Sequence, residues 1–401
     1  MAALRVLLGW VVDPLLGLCL LQSLLNIRLL RRPDPVNEDA SPVLDVSILI
    51  PARNEEGRIR DCLASLTAQQ PPAREIILLD DRSADRTADI ARELGFREEP
   101  GGRLRLIRGE ELPDGWVGKN WACHQLSGAA DPASGYLLFT DADTIHGPGC
   151  VAASLAHARS TRADLLSLWP DQITGSWAEK LIIPLGYLLF MAFHPFPLLG
   201  WLQGDPARVR RWGFGRERLA AMGAANGQFL LFRRRAYQSL GGHEAVRDHL
   251  VEDIAFGRRV ASRTGEGMRL VNADGTDLLK CRMYTDFAGV WEGFSKNLRP
   301  VFEESHHSFL IFGIVIFVLF LMPFLMLGRG WGAAWIAVGL ILLIRLLLTL
   351  RFRTSWVGLL AHPAAVFLAL MIALNSWRLC LCRGIVWKGR VYSGATHRML
   401  D

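Results

Sequence analysis

No C-x-x-C pair occurs among the seven cysteines, Cys19, Cys62, Cys123, Cys150, Cys281, Cys380 and Cys382, and their number is odd. That argues against a disulfide framework or a zinc site and suits reduced thiols in a cytoplasmic setting. Helix-turn-helix, zinc-finger and base-stacking patterns are also missing, so the net charge of +6 does not imply nucleic acid. No internal repeat is present. No small-residue cleavage site follows the first apolar stretch, which therefore reads as an uncleaved signal-anchor. Asp, Glu, Lys and Arg are absent from residues 181–203, 308–328 and 354–377. Runs of that kind are membrane material.

What is present fits this. Of the 401 residues 51% are hydrophobic, and the mean hydropathy is +0.21. The apolar excess lies at the two ends. Residues 1–32 form an amino-terminal anchor closing on Arg28, Arg31 and Arg32, which places the following chain in the cytoplasm by the positive-inside rule. Asp13-Pro14 interrupts that run. Residues 33–43 are a polar, proline-bearing linker. Residues 306–378 supply carboxyl-terminal membrane helices and 379–401 a basic tail. Arg345 is expected to snorkel from the end of its helix. Three full crossings would put the tail outside, yet basic residues flank both ends of the third apolar segment, so a re-entrant third segment is expected.

Between the ends, residues 44–300 read as one α/β domain. LDVSILI, EIILLD, LRLIRG and YLLFTD are strand-like, and helix-like stretches alternate with them, so the sheet is expected to be mostly parallel. The charge-free stretch 181–203 sits inside this domain. A single crossing there would split the domain across the membrane, and Pro184, Pro195 and Pro197 would break a lone helix. It reads as interfacial helices, with the arginines and tryptophan of RVRRWGFGRER meeting anionic phospholipid headgroups. A buried pair of core helices is the other reading.

Four polar pieces follow strand ends or open a helix. The first strand runs into Pro51-Ala52-Arg53-Asn54-Glu55-Glu56, where open α/β sheets bind ligands; an ordinary loop with Asn54 as helix cap has the same look. The second ends in Asp80-Asp81, whose carboxylates suit a uracil-like N–H or ribose hydroxyls but equally suit helix capping. The fourth ends in Thr140-Asp141-Ala142-Asp143. Two carboxylates one residue apart are poor core material and suit Mg2+ or Mn2+ bound together with substrate phosphates. Glu252-Asp253 opens a helix-like stretch, where acids favour the first turn or one of them deprotonates an acceptor hydroxyl.

In this order, PARNE, DD, DAD and ED resemble the inverting family-2 glycosyltransferases of GT-A type. Gly115-Trp116-Val117-Gly118-Lys119-Asn120-Trp121-Ala122 and Gly223-Ala224-Ala225-Asn226-Gly227-Gln228-Phe229 narrow the resemblance to hopene-associated and carotenoid-type membrane glycosyltransferases. It covers nearly the whole chain. It implies Pro51, Arg53, Glu55 and Asp81 at the nucleoside, Asp141 at the ribose or phosphate, Asp143 on the metal, and Asp253 as general base with Glu252 beside it. Lys119 is a candidate for donor phosphate. Gln228, Lys296, Trp387 and Arg390 are weaker candidates for acceptor or phosphate contact. The Q-x-x-R-W motif of processive relatives is missing; Gly293-Phe294-Ser295-Lys296-Asn297-Leu298 stands there instead, which implies transfer of a single sugar. The expected partners are a nucleotide-sugar, most simply a UDP-sugar, and a membrane isoprenoid lipid, with the enzyme multi-pass in the inner membrane. Ceramide, diacylglycerol or polyprenyl phosphate are alternative acceptors, and an inactive scaffold of the same fold is the non-enzyme alternative. Nucleotidyl transfer would favour a glycine-rich phosphate loop, which PARNEE is not.

Overall fold

The computed structural model describes residues 6, 8–35, 43–99, 101–302, 305–382, 385–387 and 390–392. The chain divides into two units. One comprises Leu30–Asp171, Leu198–Met283 and Val386–Asp401, and the other Met1–Leu29, Gln172–Pro197 and Tyr284–Ile385.

The first unit is built on an eight-stranded sheet of order β3-β2-β1-β4-β7-β6-β8-β5. Its strands are β1 (Leu44–Ala52), β2 (Ala73–Asp80), β3 (Leu104–Arg108), β4 (Tyr136–Thr140), β5 (Thr144–His146), β6 (Leu165–Gln172), β7 (Phe229–Arg233) and β8 (Leu270–Cys281). β1 lies parallel to β2 and β4, and β2 to β3. β7 runs antiparallel to both β4 and β6, and β5 to β8. The apolar runs of β1, β2 and β4 are nearly continuous because both faces of the sheet are covered. Ile48, Ile50, Ile76, Leu78 and Leu138 feed one core, together with α1 (Ile59–Thr67), α2 (Thr87–Glu93) and α4 (Cys150–Ser160). The alternate residues Leu49, Ile77, Leu79, Leu137 and Phe139 feed the other, with α3 (Gly118–Ala129) and α5 (Glu252–Ser262). Strand alternation alone produces this division. The chain leaves β1 for β2 on one side and comes back to β4 on the other. The carboxyl ends of β1 and β4 therefore flank a topological switch point, where an open α/β sheet leaves a crevice.

Among the described residues four helical segments are long and apolar enough to cross a membrane, Leu8–Leu29, His306–Arg329, Gly332–Phe352 and His362–Leu381, and the bent pair Trp177–Phe193 and Phe196–Gly204 would be a fifth if taken as one span. Asp13-Pro14 does not break the first, since Pro14 sits in the opening turn of the helix Asp13–Leu29 after a π-helical turn over Leu8–Val12. Likewise Pro363 is the second residue of its helix. Pro184 lies inside the helix Trp177–Phe193 without ending it. Buried Asn26 donates to the carbonyls of Met191 and His194, each at 2.8 Å, satisfying the orphan carbonyls at that helix's end. Arg345 departs from expectation. It does not snorkel but is 1% exposed, donating to the carbonyls of Pro184 at 2.9 Å and Gly358 at 2.5 Å. Two backbone acceptors inside the bundle take both Nη atoms of a guanidinium that sequence position alone would send to the interface, while its buried Nε has no partner.

Candidate active site

The loops after β1 and β2 are laced together. Asn54, at φ 53°, donates its backbone N–H to Ser83 Oγ at 2.9 Å, and its side chain accepts from Ala84 N at 2.9 Å. Glu55 N donates to Thr87 Oγ1 at 2.8 Å. Arg53 reaches across to the Asp81 carbonyl at 2.7 Å. Asn54 therefore ties two loops rather than capping a helix, and α1 begins five residues later. These bonds tie the two loops to each other beside the crevice.

The turn after β4 is braced from beneath. Thr144 Oγ1 donates to the Asp141 carbonyl at 2.6 Å, and Thr140 Oγ1 donates to the Gln228 carbonyl at 2.8 Å. Asp141 and Asp143 are presented at the end of a fully buried strand. Asp143 is 16% exposed on its side chain and lies 3.6 Å from Arg58. Its Oδ1 is buried with no hydrogen-bond partner. Burial, then the negative charges of Asp141 and Glu55, push its pKa up to about 7.

Lys119, in the first turn of α3, bridges two elements that are far apart in sequence. Its Nζ lies 2.6 Å from Asp141 and 2.7 Å from Glu252. Burial alone would raise the Glu252 carboxyl, but the Lys119 ammonium outweighs it and holds the pKa below the ordinary value. The lysine is correspondingly raised well above its own ordinary range: burial opposes this, and the two carboxylates prevail. Asp253 differs. Burial first, then ionised Glu252, push it up to about 7. Its Oδ2 accepts from Gly227 N at 2.8 Å. Adjacent acids at one helix start thus hold distinct protonation behaviour, because only Glu252 makes the direct ion pair with the lysine.

The supports explain residues whose part the sequence did not disclose. Asn120 is fully buried and donates to the carbonyls of Val246 at 2.7 Å and His249 at 2.8 Å, fixing the approach to α5. A Cβ on Gly223 would fall 2.3 Å from the Gly257 carbonyl, so that glycine lets α5 pack against the strand-leading loop. A Cβ on Gly227 would press on the Asp253 carboxylate at 3.1 Å. The motifs around Lys119 and Gly227 therefore frame the acid pair from two sides.

Other candidates fall elsewhere. Gln228 is 4% exposed and its amide donates to Cys281 Sγ at 2.8 Å. Lys296 lies on the helix Phe287–Asn297 of the membrane unit. Trp387 closes β9 (Ile385–Trp387), and its side chain lies outside the described residues. Arg390, in β10 (Arg390–Tyr392), pairs with Asp81. Among the described residues no three acidic, His or Cys side chains converge as a ready-made metal cage.

Residues 47–189 match the model of glycosyl transferase family 2 and residues 208–398 that of glycosyl transferase family 21. The 4,4'-diaponeurosporenoate glycosyltransferase of Staphylococcus aureus strain MRSA252 is 26% identical over 363 residues, 87% of this chain and 88% of the relative. That of strain USA300 is 26% identical over 361 residues, with the same coverage. Among solved structures, the mannosyltransferase PcManGT of Pyrobaculum calidifontis, in complex with GDP-Man and Mn2+, superposes with a TM-score of 0.50 at 16% identity, covering 95% of this chain and 98% of that one. The chain is a glycosyltransferase of GT-A-like fold, similar to glycosyl transferase family 2 over residues 47–189 and to family 21 over residues 208–398.

Proposed function

We propose that the enzyme transfers one sugar, with inversion, from a nucleoside-diphosphate sugar to a membrane isoprenoid lipid of hopanoid or carotenoid type. The observation that carries this reading is the Lys119 bridge between Asp141 and Glu252, with Asp253 beside it. It joins the donor-side turn to the helix that carries the base. Ionised Glu252 is committed to the lysine. Asp253, whose pKa near 7 suits proton abstraction, is the general base. Pro51, Arg53, Glu55 and Asp81 take the nucleoside, and Asp141 and Lys119 the ribose and phosphates. An inactive scaffold would have no use for this buried set of acids.

The cluster holds more carboxylates than cations: Glu55, Asp141, Asp143, Glu252 and Asp253 against Lys119 and Arg58. A diphosphate would be repelled unless a cation accompanied it. The orphaned Oδ1 of Asp143 fits that need. Asp143 would hold Mg2+ or Mn2+ together with donor phosphate oxygens, and the ion would neutralise the leaving diphosphate. The Pyrobaculum mannosyltransferase, described with Mn2+ and GDP-Man, and the diaponeurosporenoate enzymes support the metal, the donor class and the acceptor class. The full-length protein in lipid nanodiscs should release UDP or GDP from a matching nucleotide-sugar only when an isoprenoid alcohol or acid is supplied. Transfer solely to a soluble sugar or protein would overturn the acceptor reading.

The enzyme is placed in the cell membrane with its catalytic unit cytoplasmic, on the strength of the arginines that close the first apolar segment. Because β4 before residue 172 pairs with β7 after residue 197, the apolar stretch between them enters and leaves on one side. Cysteines introduced at positions 170 and 215 should both label from the cytoplasmic side of sealed vesicles. Labelling from opposite sides would sink this topology.

A further inference from the structure

Asp81 sits at the carboxyl end of β2, where the backbone hands over to the loop, and its side chain is 9% exposed. Arg390 meets it from 309 positions further along the chain. Nη1 donates to Asp81 Oδ2 at 2.7 Å and Nη2 to Oδ1 at 3.1 Å. Both groups belong to the catalytic unit, although the membrane unit claims the intervening residues 284–385. The guanidinium is itself only 14% exposed. Arg53 stands on the other flank, 3.9 Å from Asp81 Oδ1.

A two-pronged guanidinium contact fixes the plane of a carboxylate, which a single point charge does not. A carboxylate has about four lone-pair directions, and the arginine fork takes two of them. The remaining two stay available for an N–H or hydroxyl donor in the crevice. Burial of an unpaired carboxylate at this strand end would be costly. Arg390 therefore makes Asp81 usable as an ionised, oriented acceptor.

We infer that Arg390 is a positioning residue of the donor nucleoside site, and that the carboxyl-terminal strand pair β9–β10 is a strap that completes this site by holding Asp81. The inference rests on the donor-site reading of Asp81. It has a topological consequence. The strap returns to the side of the membrane occupied by Asp81, so the three apolar helices between Met283 and Val386 make an even number of crossings. At least one of them therefore does not span.

The test uses the full-length protein in nanodiscs, with UDP and GDP as probes in calorimetric titrations. Arg390→Ala should weaken the nucleotide that wild type binds by roughly 10- to 100-fold, the range seen when a partner that orients a binding group is removed. Arg390→Lys should recover only part of this, because an ammonium lacks the fork. The double variant Asp81→Asn/Arg390→Ala should bind no more weakly than Asp81→Asn alone, as two members of one contact do. Donor KM should rise in proportion, while acceptor KM and kcat at saturating donor stay within roughly threefold. That split separates positioning from a general loss of structure. Wild-type nucleotide affinity in Arg390→Ala, with affinity lost in Asp81→Asn, overturns the inference. Wild-type affinity in both variants overturns the donor reading of Asp81 and the inference with it. Labelling of Arg390→Cys in sealed vesicles, with Cys380 and Cys382 replaced by serine, tests the strap independently of the donor. Reaction from the same side as a cysteine at position 170 supports the strap, and reaction from the opposite side removes it.

Discussion

Asp143→Asn should remove turnover while leaving the fold intact. The side chain lies at the end of a buried strand, and one of its oxygens has no hydrogen-bond partner. Its neighbours Asp141 and Glu55 are both acidic, and Arg58 approaches only to 3.6 Å. An amide of the same shape relieves the crowding of negative charge, so thermal unfolding of the variant without metal should occur at or above the wild-type temperature. What the amide does not do is hold a divalent cation, since it brings no charge. A contribution of several kcal/mol to the transition state should disappear, a loss of about 10³-fold or more in kcat/KM. Binding of UDP or GDP should become insensitive to Mg2+ and Mn2+ in the variant. Full activity of Asp143→Asn, or full wild-type activity in excess chelator, would eliminate the metal role.

The carboxylates that open the site were legible in the sequence because each follows an apolar run. LDVSILI, EIILLD and YLLFT are buried on both faces, and a polar pair at the end of such a run has to lie at the sheet's rim. The antiparallel half of the sheet was not legible. β8 carries Asn272, Asp274, Gly275, Thr276 and Asp277 within one strand, a composition that reads as a loop. Asp274 is buried there because Arg32, from the far side of the linker, donates to it at 2.7 Å. The burial of Arg345 has the same cause: its acceptors are a carbonyl 161 positions earlier and another 13 positions later. The glycines were visible as a motif, but their purpose was not. Only the packed helix shows that Gly223 yields to the Gly257 carbonyl. Tertiary partners decide all these cases, and local periodicity carries no trace of them.

Asp253→Asn should lower turnover on a hydroxyl acceptor by roughly 10²-fold to 10⁴-fold, the range for a removed general base. The amide keeps the volume and retains an oxygen to accept from Gly227 N, so donor affinity should stay near that of wild type. The pH profile supplies a second check. The Asp253 carboxyl is pushed up to about 7 by burial and by ionised Glu252. A base acts only when deprotonated, so kcat/KM should rise with pH through about 7 and level off above it. At saturating metal, which holds Asp143 ionised, this limb should be lost in the Asn variant, where nothing remains to titrate at that position. Lys119 sets the contrast between the two acids: by keeping Glu252 ionised it both occupies that residue and holds a negative charge beside Asp253. In a single displacement the acceptor attacks opposite the leaving diphosphate, so the base belongs on an element separate from the Asp141–Asp143 turn. The start of α5 meets that condition. A carboxylic acid acceptor would arrive already ionised, and the loss should then shrink to a small factor. Normal turnover of Asp253→Asn on a hydroxyl acceptor, or a product that retains the donor's anomeric configuration, would rule this mechanism out.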